Sequence, residues 1–182
     1  NTGINDYKNS KIADILNFYY KGKIGKANSE KYNDYDYNEE NEFLTKEDKK
    51  KVVNFKSCVG IRGSNDTSKD GSTECSTTYD TNIGLLPVYD FLNASIDPNC
   101  TTTISASCQN YNYLATADSD WWLATSVAGT TDSVFSVGDV GVINNESASS
   151  YADIRPIVSL SNTTFISGGK GTKNNPYTVK LS

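Results

Sequence analysis

The chain has 182 residues, enough for one domain with a hydrophobic core, and carries a formal net charge of −5. Only 36% of its residues are apolar, which favours a loop-rich fold with a polar surface over a helical bundle. Residues 57–182 hold 12 acidic and six basic residues, and an acidic body without a basic stripe argues against binding to nucleic acid or to an anionic membrane surface.

The first predicted elements are a helix and a long loop. The apolar residues of KIADILNFYY recur at helical spacing and predict a helix from about residue 10 to 21, with Asn9 or Ser10 as its N-cap. Residues 26–42 are polar and rich in tyrosine, without an apolar period. They are therefore predicted to form a loop inserted into the fold.

A second, shorter helix is predicted at 46–51. Thr45 stands at its N-cap and Asp48 at its third helical position, a pattern close to a capping box. The apolar residues that follow predict a strand at 52–59. Residues 61–81 consist largely of Gly, Ser, Asn, Asp and Thr, which predicts a second loop insertion.

The C-terminal half is predicted to consist mainly of short strands. Pro87 suits the first turn of a helix, so the run around it predicts a strand at 82–86 and a helical turn at 88–94. Helices that precede a series of antiparallel strands indicate an α+β fold, with residues 1–182 as a single domain. The further predicted strands are Trp121–Ser126, Val134–Val137, Val140–Asn144, Arg155–Leu160 and Tyr177–Leu181.

The four cysteines favour disulfides over a metal site. No two of them are spaced as CxxC and the chain has no histidine, so zinc is disfavoured. Of the pairings that four cysteines allow, Cys58–Cys75 and Cys100–Cys108 are preferred because each pair brackets one polar loop. Free buried thiols are the alternative. Paired cysteines imply an oxidising compartment and hence a secreted or surface-displayed protein.

The segment DTSKDG at residues 66–71 is similar to the first half of a calcium-binding loop. Asp66, Ser68 and Asp70 occupy alternate positions before a glycine, and calcium prefers oxygen ligands. The twelfth position is Thr77 instead of a bidentate glutamate, so a solvated loop without metal is the alternative. Apart from calcium, no cofactor is predicted.

The only two tryptophans are adjacent, in SDWWLATS. In an extended chain Trp121 and Leu123 share one face and Trp122 lies on the other. We expect Trp121 and Leu123 to lie in the core. The large residues Val158 and Leu160 of IRPIVSL are predicted to complete that core, while Trp122 packs under a loop or stands half exposed.

Arg155 begins the strand that contains IRPIVSL. A buried arginine needs an acidic or carbonyl partner, because an unpaired buried charge is costly. Asp118, Asp120 and Asp153 are the acidic candidates. Arg155 is therefore assigned to the framework of the fold.

Six motifs follow one another from about residue 7 to 181: NSKIADILN, FLTKEDKKKVV, IGLLPVYDFLNAS, DWWLATS, IRPIVSL and ISGGKGTKNNPYTV. Their order and spacing resemble a family of bacterial surface domains, often attached to prepilin-like stems in Firmicutes. The family has a C-type-lectin-like fold, which is related to formylglycine-generating (sulfatase-modifying) enzymes and to the variable proteins of diversity-generating retroelements. The combination of WWL with RPIVSL is the most specific part of the resemblance.

The resemblance implies non-enzymatic, adhesin-like recognition of a protein or glycan ligand outside the cell. In such folds ligands meet the loops between the late strands, here 127–133 and 138–153, and a membrane is reached only through an N-terminal anchor that would precede Asn1. The candidate ligand-binding residues are Asp118, Asp120, Trp122, Thr130, Asp132, Asn144 and Tyr151. The framework residues are Trp121, Leu123, Arg155 and Val158.

Three other functions stay open. The chain can be a type IV pilin or pseudopilin head with pilus or surface assembly partners, a retroelement variable protein, or a sulfatase-modifying-type enzyme. The last is disfavoured because those enzymes rely on a cysteine pair late in the chain, and no cysteine follows Cys108. Catalytic residues are therefore not predicted.

Overall fold

The structure is a computed structural model. It describes residues 5–21, 44–66, 68–94, 114, 119–138, 141–172 and 174–181. The loop predicted at 26–42 and the second proposed disulfide, Cys100–Cys108, lie outside these residues. None of the helices within the described ranges is long and apolar enough to cross a membrane.

The first predicted helix is confirmed, preceded by a short 3₁₀ turn. Of the two N-cap candidates, Ser10 performs the role, because its Oγ accepts the amide of Ala13 at 3.2 Å. The described helices are α1 (Lys11–Lys21), α2 (Lys46–Lys51) and α3 (Val88–Asn93), with 3₁₀ turns at Tyr7–Asn9 and Glu74–Ser76.

The capping box predicted for α2 is also confirmed. The amide of Asp48 donates to Thr45 Oγ1 at 3.1 Å, and the amide of Thr45 donates to Asp48 Oδ2 at 3.3 Å. Two of the amides that a helix start leaves unpaired are thereby satisfied. This six-residue helix buries none of its side chains, so local capping does much to define it.

The strands assemble around one four-stranded sheet with the order β3-β6-β7-β8, in which β3 is parallel to β6 and the other neighbours are antiparallel. The remaining strands form the two-stranded pairs β1–β10, β2–β4, β5–β9 and β11–β12. The architecture is α+β, as predicted. The strands are β1 (Val52–Val53), β2 (Phe55–Cys58), β3 (Ile61–Arg62), β4 (Thr78–Thr81), β5 (Gly84–Leu85), β6 (Trp121–Val127), β7 (Ser133–Val137), β8 (Ile143–Ser147), β9 (Pro156–Ile157), β10 (Ser159–Leu160), β11 (Thr164–Gly168) and β12 (Thr178–Leu181).

Strand β6 is the centre of the fold, and all seven of its residues are buried. One face carries Trp121 and Leu123, which pack with α3 and with apolar side chains of β7 and β8. The other face carries Trp122 and Ala124, which pack with Leu16 of α1 and with apolar residues before α3. Because helices cover both faces, the strand is apolar or small at every position rather than alternating.

Two expectations about this core are wrong. Trp122 is only 5% exposed, so it neither stands half exposed nor offers its ring to a ligand. Val158 packs against the cluster of Trp122, not that of Trp121, and Leu160 is 42% exposed. Alternation assigned the tryptophans to opposite faces correctly, but it does not show that a second helix covers the second face.

Two long predicted strands are divided, because their halves pair with different partners. The strand predicted at 52–59 breaks at Asn54, where β1 pairs with β10 and β2 pairs with β4. The strand predicted at 155–160 breaks at Val158, where β9 pairs with β5 and β10 with β1.

Other predicted bounds shift by a few residues. The strand predicted at 140–144 is found at Ile143–Ser147, and the one at 82–86 shortens to Gly84–Leu85. The last strand begins at Thr178 instead of Tyr177. β11, which pairs with it, was not predicted.

The prediction that residues 61–81 form a loop is partly wrong. This segment contains β3, a 3₁₀ turn and the whole of β4. β4 is mostly exposed and polar, so it lacks the apolar alternation by which strands are recognised. Pairing with β2 stabilises β4 as a strand, although the sequence of β4 does not predict one.

Candidate functional site

The turn between β6 and β7 is held by Asn5, which precedes the first helix. The Asn5 side-chain amide contacts the carbonyl oxygens of Val127, Thr130 and Ser133 at 2.9–3.3 Å. The hydroxyl of Ser126 donates to the backbone carbonyl of Asn5. The side-chain amide of Asn5 therefore connects the end of β6, the start of β7 and the turn between them. These hydrogen bonds hold the turn in place.

A second turn lies beside the first, where β8 ends. The amide of Ala148 donates to the carbonyl of Asp132 at 2.7 Å, and that of Ser150 to the carbonyl of Ser147 at 2.8 Å. Tyr151 follows this turn, and its side chain is 100% exposed. The Tyr151 ring is therefore exposed to solvent directly after a turn that is hydrogen-bonded to the β6–β7 turn.

We call these two turns together the Tyr151 surface. It offers hydroxyl groups that donate and accept hydrogen bonds, one carboxylate and one aromatic face, a mixture that suits recognition of a partly polar ligand. Gly129 has φ +81°, a conformation that glycine adopts without strain, and it allows the first turn to close. The exposed residues of the surface are Thr130, Thr131, Asp132, Ser149, Ser150 and Tyr151.

The structure brings two of the predicted ligand-binding residues, Thr130 and Asp132, to this end of the sheet. Tyr151 follows the second turn, two residues before Asp153, whose amide donates to the carbonyl of Asp120 at 2.8 Å. Asn144 is opposite Ser136 of β7, and Asp120 precedes β6. Both therefore lie toward the other end of the sheet, and Asn144 is roughly 13 Å from Ala148 along the chain at about 3.3 Å per residue. The predicted set does not form a single site, and Asp118 lies outside the described residues.

The loop predicted to bind calcium is organised by a buried arginine instead. The Arg62 guanidinium, 1% exposed, donates to the carbonyl oxygens of Asp66 and Ser68 at 3.0 Å and of Asp70 at 3.4 Å. Its Nη1 also lies 3.3 Å from Asp66 Oδ1. The oxygen atoms that converge in this loop already face a cation, which is the guanidinium.

The side chains of the three predicted calcium ligands are used within the loop. Asp66 accepts the amide of Ser68 at 2.9 Å, and Ser68 Oγ accepts the amide of Asp70 at 2.9 Å. Hydrogen bonds from the Ser72 hydroxyl and amide lower the pKa of Asp70. The calcium prediction is therefore wrong for this conformation of the loop, and the described residues contain no group of three or more acidic, histidine or cysteine side chains placed to hold a metal.

Glu74 pairs with Arg62 at the junction between this loop and the core. Its Oε2 lies 2.8 Å from Arg62 Nη2, and both side chains are 1% exposed. Its Oε1 accepts the amide of Val88 at 2.9 Å, at the start of α3, and the hydroxyl of Thr125 in β6. A buried ion pair with these further hydrogen bonds links the loop, the helix and the central strand.

A buried ion pair at Arg62 was not predicted from the sequence, although the composition of the chain contains a signal for it. Arg62 and Arg155 are the only arginines among 17 basic residues. A planar guanidinium suits a buried site with several acceptors better than an ammonium group. Of the two arginines, Arg62 is buried and Arg155 is half-buried.

The disulfide Cys58–Cys75 closes the same loop, as predicted. The amide of Gly60 donates to the carbonyl of Glu74 at 2.7 Å. A Cβ on Gly60 would lie 2.5 Å from that oxygen, so this close approach requires glycine. The covalent bond and the ion pair reinforce one junction.

Arg155, which the sequence assigns to the framework, is half-buried beside Trp121. The guanidinium Cζ lies 4.9 Å from the centroid of the Trp121 ring, and Nη1 donates to the carbonyl of Leu114 at 3.4 Å. A carbonyl is one of the two partner types expected for it. Stacking on the indole face stabilises the charge and holds the ring in place.

No family model, curated protein or solved structure matches this chain.

Proposed function

We propose that the protein is a non-enzymatic recognition domain, displayed at the cell surface or secreted, that binds a protein or glycan ligand. The observation that carries the proposal is the Tyr151 surface: a fully exposed aromatic ring directly after a hydrogen-bonded turn, with exposed hydroxyls and one carboxylate on the two turns. Binding residues are often carried by turns on a rigid scaffold, since ordering them then costs little entropy on binding.

The proposal includes a C-type-lectin-like fold and an extracellular location. The order of the sequence motifs supports the fold. The disulfide supports the location, because such bonds persist in oxidising compartments. The buried Arg62–Glu74 pair adds the rigidity on which a loop-borne site depends.

The contribution of Tyr151 is tested by binding of the purified chain to an array of immobilised glycans and to a panel of displayed surface proteins. Tyr151→Ala is expected to weaken the strongest interaction at least about tenfold, which corresponds to ~1.4 kcal/mol. The free energy of unfolding is expected to stay unchanged, because the side chain is 100% exposed.

Val53→Ala is the control, since Val53 is an exposed apolar residue (39%) on β1. It is expected to leave binding unaltered. Binding that persists at full strength in a variant with alanine at Thr130, Asp132 and Tyr151, or no binding on either panel, contradicts the proposal.

A further inference from the structure

The hairpin of β11 and β12 exposes large apolar side chains. Phe165 is 44% exposed, Ile166 58%, Tyr177 57% and Leu181 38%. A two-stranded hairpin is marginally stable in water unless its apolar side chains are covered. Phe165 shares one face of the hairpin with Lys180, whereas Ile166 and Leu181 lie on the other face. Either face gains free energy when another surface covers it.

The shape of the hairpin is fixed by contacts within it. Tyr177 packs over Gly171, where a Cβ would lie 2.5 Å from the ring. Gly169 and Gly171 have φ of +86° and +71°, which allows the tight tip. The ammonium of Lys180 lies 5.0 Å from the centroid of the Phe165 ring. A preformed surface loses little entropy on association.

The charge of the hairpin is opposite to that of the body. No Asp or Glu follows Asp153, whereas Arg155, Lys170, Lys173 and Lys180 do. Residues 57–153 carry 12 acidic and two basic residues, a balance of −10. The acidic body of a second copy of the chain is therefore complementary in charge to the basic hairpin.

Two strand edges complete this complementarity. β8 is the last strand of the four-stranded sheet, and among the described strands it pairs only with β7. β12 likewise pairs only with β11 within the described part of the chain. Glu146 is the only charged residue of β8 and Lys180 the only one of β12. An open strand edge can form backbone hydrogen bonds with a strand of another chain. Opposite charges on the two facing strands stabilise the pairing.

We propose that copies of this chain associate head to tail, with β12 of one copy added to the outer edge of β8 of the next. Lys180 then faces Glu146, and the two strand edges pair with each other. The contact joins two different surfaces, so it continues from copy to copy and forms a filament or a closed ring. A symmetric contact between two hairpins is disfavoured because it brings two basic surfaces together.

The association is tested by sedimentation velocity of the full chain over a range of concentrations and at low and high salt. We expect concentration-dependent oligomers that weaken as salt rises. Lys180→Glu and Glu146→Lys are each expected to raise the dissociation constant at least about tenfold. An equimolar mixture of the two variants is expected to associate again, because opposite charges face each other at both contacts.

Lys50→Glu is the control, since it makes the same charge change at a 62% exposed side chain of α2. It is expected to associate like the unaltered chain. The proposal is overturned if the unaltered chain stays monomeric at all concentrations, if Lys180→Glu changes the dissociation constant no more than Lys50→Glu does, or if the mixture of variants does not recover association.

Discussion

The Cys58–Cys75 loop and the C-terminal hairpin are similar in sequence and opposite in structure. Both consist of polar residues and glycines around short strands. The loop is joined to the central strand by a disulfide and by the buried Arg62–Glu74 pair. The hairpin instead exposes its apolar side chains to solvent. Local composition therefore does not decide which segment belongs to the core; contact with β6 does.

The largest expected effect concerns the junction of the loop with the core. Glu74→Ala removes the buried carboxylate partner of Arg62 and one of the two acceptors of the Val88 amide, the other being Thr125 Oγ1. We expect the free energy of unfolding to fall by about 3–5 kcal/mol, measured by urea denaturation of the oxidised protein. The control Asp80→Asn breaks the exposed Lys56–Asp80 pair and should cost less than about 1 kcal/mol. A loss below about 1.5 kcal/mol for Glu74→Ala would show that the pair does not stabilise the junction.

The same residue type can be compared directly in the core and in the hairpin. Ile143 is 2% exposed in the main core cluster and Ile166 is 58% exposed in the hairpin. Ile143→Ala is expected to cost about 2–5 kcal/mol, because it leaves a cavity. Ile166→Ala is expected to cost less than about 0.5 kcal/mol at concentrations where the protein is monomeric. Equal losses in the denaturation curves would contradict the contrast between the two regions.

The smallest expected effect is a pH dependence at α2. Hydrogen bonds, first from Lys51 and then from Thr45, lower the pKa of Asp48 from 3.8 to about 2. A lowered pKa in the folded state stabilises the protein above the unfolded value, and this stability is lost as the pH falls from about 4 to about 2. Because the Asp48 side chain is 40% exposed, the loss is expected to stay below about 1 kcal/mol.

This pH dependence is measured from urea midpoints at several pH values. Asp48→Asn is expected to flatten the decline between pH 4 and pH 2. Lys50→Gln, a change on the same helix that leaves the capping box intact, is expected to retain it. An unaltered slope in Asp48→Asn would exclude the capping box as its source.

Elements with a local chemical cause could be predicted from the sequence. Ser10 and Thr45 mark the starts of their helices because their side chains satisfy nearby amides. Alternation placed Trp121 and Trp122 on opposite faces of β6. The disulfide Cys58–Cys75 was predicted because it closes one polar loop.

The parts that failed depend on distant partners. The calcium prediction treated Asp66, Ser68 and Asp70 as free ligands, but the guanidinium of Arg62 faces the same loop. Trp122 was placed near a ligand because its sequence neighbours are small, whereas α1 and residues before α3 cover it. Of the predicted ligand-binding residues, Thr130 and Asp132 lie beside the turn that precedes Tyr151 only because β7 and β8 pair in the observed register.

The sequence by itself determined the α+β class, the helix starts, the central WWLATS strand and one disulfide, since each follows from contacts within a few residues or from the chemistry of cysteine. Tertiary structure alone decided that β6 is covered on both faces, that Glu74 pairs with Arg62 inside the protein, and that the C-terminal hairpin stays exposed. These features arise from segments far apart in the chain. Their free energy comes from burial and charge pairing that no local pattern encodes.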